Sequence, residues 1–210
     1  MNAAGIALVL VASAVPCIAA DEFVPPPNKP GESAWIPLRH QRQEKNLCVP
    51  TSASIILEYF GDSITPREIK TLSRGKTYDP QKPFTDFTIT VWSDLIGGLR
   101  RRGYDWRTES FDDDGPGFVA GWMEITHWLD RGVPVMVDTT IGKSPHTFVL
   151  AGYSTPQKAV FSVDPSLEAP GIRTIGFVKL SEIWTSRRVG TERRGLLIPH
   201  PRSRPSAASD

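Results

Sequence analysis

The feature that most restricts the fold of this chain is the order of its two hydrophobic periods. Apolar residues recur at helical spacing through the first part, and three short β-rich runs follow from Val133 onward, VPVMVDTT, HTFVLAGYS and AVFSVDPS, each bounded by Gly, Pro or polar residues. Alternating elements would wind into a parallel sheet with crossover helices. Segregated elements predict an α+β domain in which N-terminal helices pack on an antiparallel β-sheet.

Each helix has recognisable ends. In CVPTSASIILEYFG the residues Val49, Ala53, Ile56, Leu57 and Phe60 form one stripe, Pro50 occupies the first turn and Gly61 provides the stop, so the segment reads as a buried helix with Cys48 at its N-terminus. Thr65-Pro66-Arg67-Glu68 is a capping-box pattern that opens a short second helix. A third is predicted from about Val91 to Arg102, ending at Gly103, with Gly97-Gly98 inside it to allow close helix packing. A fourth is predicted over Gly121–Arg131, and a final helix includes Ser181–Trp184. Asp112–Asp114 with Gly115 lacks the alternation and closing Glu of a calcium loop and reads as an exposed acidic turn.

Around this compact region, 35–198, the composition changes. Residues 1–20 form an apolar run ending in small residues ahead of Asp21, as a secretory signal does; residues 21–34 are a Pro-rich linker, and 199–210 read as a disordered tail. The expected location is therefore secreted or periplasmic. Removing the signal takes Cys17 with it and leaves Cys48 as a lone thiol in a compartment that favours disulfides. With 24 Lys+Arg against 23 Asp+Glu there is no charge excess to drive binding to nucleic acid or to an anionic membrane. The chain has no CxxC, no HExxH and no closely spaced ligand pair, so no metal or cofactor is implied.

What remains is thiol chemistry. A helix N-terminus favours negative charge, which suits Cys48 as a thiolate. A thiolate needs a proton acceptor, and His is the side chain that titrates in the right range. Of four histidines, His40 lies in a charged approach segment expected to face solvent, His127 falls on a helix as a packing residue, and His200 belongs to the tail. His146 starts the strand HTFVLAGYS after a turn, where a loop meets a rigid element. Asp164 ends the next strand, so antiparallel pairing of the two would bring it beside His146 to orient the ring. Gln43 or Gln41, a few residues before Cys48, can donate to a developing oxyanion, with Gln43 favoured.

The motifs CVPTSASIILEYFG, SPHTFVLAGYS and VFSVDPS, with Gln43 ahead of them, resemble the papain-like cysteine peptidases, and among these the peptidase-like relatives of the bacteriocin-processing enzymes that cut after double-glycine leaders. The resemblance implies Cys48 as nucleophile, His146 as general base and acid, Asp164 as the orienting group and Gln43 as an oxyanion donor, acting through an acyl-enzyme. Two departures stand out: the bacteriocin processors usually carry Gly where this chain has Val49, and they are typically fused to a transporter. The expectation is a secreted thiol-dependent hydrolase of peptide or other amide bonds, a monomer, with no nucleic-acid partner and no stable membrane insertion once the signal is removed. The alternatives are a transglutaminase-like acyltransferase and a catalytically lapsed peptide-binding module.

Overall fold

A computed structural model describes residues 23–73, 89–185 and 194–200. The signal segment with Cys17, Arg187–Arg188 and most of the expected tail lie outside the described residues. In chain order the elements are β1 (Ser33–Trp35), α1 (Cys48–Tyr59), α2 (Pro66–Leu72), α3 (Trp92–Arg100), β2 (Arg107–Phe111), α4 (Gly115–Leu129), β3 (Val135–Ile141), β4 (Ser144–Ser154), β5 (Ala159–Val163), β6 (Ile172–Gly176), α5 (Phe177–Ile183) and β7 (Arg194–Ile198).

The strands form one antiparallel sheet in the order β2-β7-β3-β4-β5-β6, with β1 pairing on the far end of β4. Helices cover both faces. Met136, Val149, Ala151 and Leu197 meet α1, α2 and α3 on one side, while Val137, Phe148, Leu150 and Leu196 meet α4 and α5 on the other. Burial on two faces is why β3, β4 and β5 read as nearly continuous apolar runs rather than alternating ones. The three strands predicted from sequence are these central ones.

Four strands escaped the sequence reading. β2 and β6 lie at the two edges of the sheet, and their sequences RTESF and IRTIG carry the polar residues that edge positions tolerate. β1 is only three residues long and begins inside the Pro-rich segment expected to be an extended linker. That segment is instead packed on the domain from its first described residue. The Phe23 ring lies 4.8 Å from that of Trp35 and 5.2 Å from that of Phe161, and the Trp35 N–H donates to Asn28 Oδ1 at 2.6 Å. At the other end, the His200 ring meets Trp128 edge-on at 5.5 Å.

The helices follow their end signals with one correction. α2 has the complete capping box, and Gly98 in α3 packs so tightly that a Cβ there would lie 2.5 Å from Leu72 O. α4, however, begins six residues before its expected start. Asp114 is its N-cap, accepting from Gly117 N–H at 2.7 Å, with Pro116 in the first turn, so the expected acidic turn is a helix start obscured by flanking glycines.

Candidate active site

α1 places the thiol. Its N-cap is Leu47, no side chain caps it and no acidic residue lies in its first turn, so the first-turn N–H groups stay available for negative charge beside Cys48. Cys48 is half-buried and is the one free cysteine among the described residues. The helix is docked to the sheet next to this end: Ser52 Oγ donates to Thr147 O at 3.2 Å, one residue beyond His146.

β4 places the imidazole. His146 pairs with Thr139 of β3, whose hydroxyl donates to the His146 carbonyl at 2.8 Å, fixing the backbone beneath the ring. His146 Nε2 lies 2.7 Å from Asp164 Oδ1, and Cys48 lies close enough to interact electrostatically with the same ring. With Nε2 engaged by the carboxylate, Nδ1 is the nitrogen left for the thiol.

The carboxylate is delivered by antiparallel pairing of β4 with β5, where Val149 faces Val163 and the chain continues directly into Asp164. Asp164 is fully buried and its oxygens take five donors. Oδ1 accepts from His146, from the Ser166 N–H at 2.8 Å and from Ser166 Oγ at 2.7 Å; Oδ2 accepts from Arg173 Nε at 3.1 Å and Nη2 at 2.7 Å. Burial alone would raise its pKa. The hydrogen bond to His146, the imidazolium charge and the Ser166 donors outweigh burial and hold the carboxyl well below the usual carboxylate range. For His146 burial works to lower the pKa, but the hydrogen bonds to Asp164 and Cys48 and their negative charges raise it to about 9.

The two glutamines are separated by their partners. Gln41 Nε2 donates to Glu58 Oε2 at 2.8 Å and its Oε1 accepts from Ser54 at 3.0 Å, so it is fastened along α1, roughly one and a half to three turns past Cys48. Gln43 is stitched to the Asp164 corner through its backbone N–H, which donates to Pro165 O at 2.8 Å, while its buried Oε1 makes no hydrogen bond. The structure thus brings Cys48, His146 and Asp164 together, seats Gln43 on the same corner and leaves Gln41 outside.

Three contributors were not foreseen. Ser166 closes a local Asp-x-Ser turn that Asp164-Pro165-Ser166 could have signalled. Arg173 belongs to β6, which was not predicted. His40, expected in solvent, is half-buried, with Nε2 3.2 Å from the Asp164 carbonyl. Among the described residues no group of His, Cys, Asp and Glu side chains could hold a metal ion, and no helix is long and apolar enough to cross a membrane.

A helix N-terminal cysteine facing a histidine on an antiparallel sheet defines the papain-like class of cysteine peptidase folds. The chain belongs to the Peptidase_C39 like family, whose model matches residues 35–190, and is thereby a cysteine peptidase-like hydrolase. No curated protein matches it by sequence. Among solved structures it is similar to the peptidase domain of Streptococcus ComA, a bi-functional ABC transporter, at 14% identity and TM-score 0.51 over 80% of this chain and 98% of that one. It is also similar to a double glycine motif protease from an AMS/PCAT transporter, in complex with its leader peptide, at 14% identity and TM-score 0.52 over 80% and 94%. Xylellain, a cysteine protease from Xylella fastidiosa, overlaps 88% of this chain and 94% of its own at 10% identity and TM-score 0.47. At 14% identity the likeness to the first two is one of fold.

Proposed function

We propose that the protein hydrolyses peptide bonds through Cys48, His146 and Asp164. The observation that carries this reading is the His146 ring, held through Nε2 by Asp164 at 2.7 Å and within interaction range of Cys48. The Cys48 thiolate attacks the scissile carbonyl, and the imidazolium gives its proton to the departing amine, leaving a thioester on Cys48. Neutral His146 then takes a proton from water, which attacks the thioester and releases the acid. During both steps the negative oxygen is stabilised by the Cys48 N–H and by the Gln43 amide. The leader-peptide complex of the double glycine motif protease supports a peptide as substrate; Val49 in place of the usual Gly argues for a different cleavage preference.

Mass-spectrometric cleavage of a mixed peptide pool tests this. Cys48→Ala is expected to abolish cleavage, His146→Ala to reduce it by on the order of 10³-fold or more, and Asp164→Asn to reduce it less. Iodoacetamide labelling of Cys48 at about pH 6 is expected to be fast and to slow at least about tenfold in His146→Ala. Labelling indifferent to His146, with no cleavage by the parent protein, would sink the reading.

We further propose that residues 1–20 direct export and are removed, a reading supported by their apolar run ending in small residues. An intact mass beginning at Asp21 in protein recovered outside the cytoplasm is the expected result; a full-length chain retained inside would contradict it.

A further inference from the structure

Arg173 lies in the edge strand β6, paired with Ser162 of β5, one step along the ladder from the Val163–Ile172 pair that precedes Asp164. This register carries its guanidinium to the side of the Asp164 carboxylate away from His146. Nε and Nη2 both donate to Oδ2, while His146 and Ser166 occupy Oδ1. Asp164 has no exposed surface, and the Arg173 side chain retains 33% of its own.

A fully buried carboxylate is expensive to keep charged unless it is paired. With His146 as its sole ionic partner, Asp164 would lose that compensation each time the imidazolium released its proton. A guanidinium does not deprotonate, so it compensates Asp164 in both states of His146. Two consequences follow for the ring. The carboxylate remains acceptor-only, which keeps Nε2 protonated and Nδ1 as the basic nitrogen toward Cys48. The fixed cation also opposes the imidazolium charge, which lets the ring surrender its proton more readily.

We propose that Arg173 is a positioning residue for the Cys48–His146 chemistry, holding Asp164 ionised and oriented and setting how tightly His146 keeps its proton. This rests on the reading of Cys48 and His146 as the reacting pair; Arg173 acts on them through Asp164. The other ionisable groups facing this corner among the described residues are Cys48 from α1 and His40 against the Asp164 carbonyl; Asp138 of β3 pairs with Thr147 and lies on the opposite face of the sheet from His146.

The test is an NMR titration of the His146 ring in full-length Cys48→Ala protein, where the thiol cannot contribute. Replacing Arg173 by Met removes the cation on the far oxygen of Asp164 and is expected to raise the His146 midpoint by about one pH unit. Arg173→Lys retains the charge and is expected to leave the midpoint within about 0.3 units of the parent. A Met variant with an unmoved midpoint, or a Lys variant shifted as far as Met, overturns the proposal. If Met does not fold, Arg173→Gln, neutral but still a donor, is read in its place. Failure of Lys and both neutral variants to fold would assign Arg173 to structure alone and also overturn it. Because the titration is done without the thiol, it is independent of whether Cys48 and His146 act as a pair, which the labelling comparison decides.

Discussion

In the proposed reaction His146 works between two anions, and its protonation decides which steps can proceed. The form that expels an amine is the imidazolium, held to about 9 by Asp164 and Cys48 against the opposing effect of burial. As pH rises through that value the ring becomes neutral and the leaving group loses its acid. The expected kcat/KM profile therefore falls on an alkaline limb near about pH 9. Asp164→Asn removes the charge that contributes to the raised value, so the limb should move down toward the ordinary histidine range, about 6.5. A limb that stays near about 9 in the variant would assign it to another group. The thiol and the imidazole were legible from sequence because each had few competitors: one cysteine in the compact region and one histidine at a loop-to-strand junction.

The elements around the site meet at the turn from Asp164 to Gly171. Gly171 adopts φ +70, and its carbonyl accepts from the Asp164 N–H at 2.8 Å. A Cβ there would lie 2.0 Å from the His40 ring, which itself contacts the Asp164 carbonyl. Gly171→Ala is expected to cost about 1–3 kcal/mol from the left-handed backbone alone, plus the displacement of His40. Gly61, at φ +89 with no atom within 4 Å of where an added Cβ would sit, provides the comparison without a clash. Urea midpoints should fall further for Gly171→Ala than for Gly61→Ala; equal losses would mean that His40 moves aside freely. This turn was not legible as a unit, because Asp164-Pro165 announces its beginning while its partners come from the approach segment and from an edge strand of polar composition.

Across the whole molecule, the site joins α1, β4, β5 and β6, so its ionisation is coupled to folding. Asp164 is held below its unfolded value, about 4; its contribution to stability is present above that pH and is lost as pH falls through the lower folded value. His146 is raised, so its contribution is complete below about 6.5 and is lost as pH rises through about 9. Together they place the stability optimum between these limits. Urea midpoints at about pH 3, 5.5 and 9.5 should decline on both sides in the parent protein. Asp164→Asn is expected to flatten the acid side and His146→Ala the alkaline side; unchanged slopes would show that other groups govern the titration.

The sequence by itself determined most helix starts and stops, the central strands and the short list of candidate site residues, because caps, proline, glycine and hydrophobic period act over a few residues. It also determined the antiparallel adjacency that would bring His146 to Asp164, since consecutive strands pair through short connections. Tertiary structure alone decided the rest. Edge strands β2 and β6 have little apolar pattern, and the Pro-rich arm is held by aromatic rings and by pairing with β4, both distant in the chain. The different partners of Gln43 and Gln41, and the recruitment of Arg173 and His40 to the Asp164 corner, depend on contacts between residues distant in the chain, which no local pattern encodes.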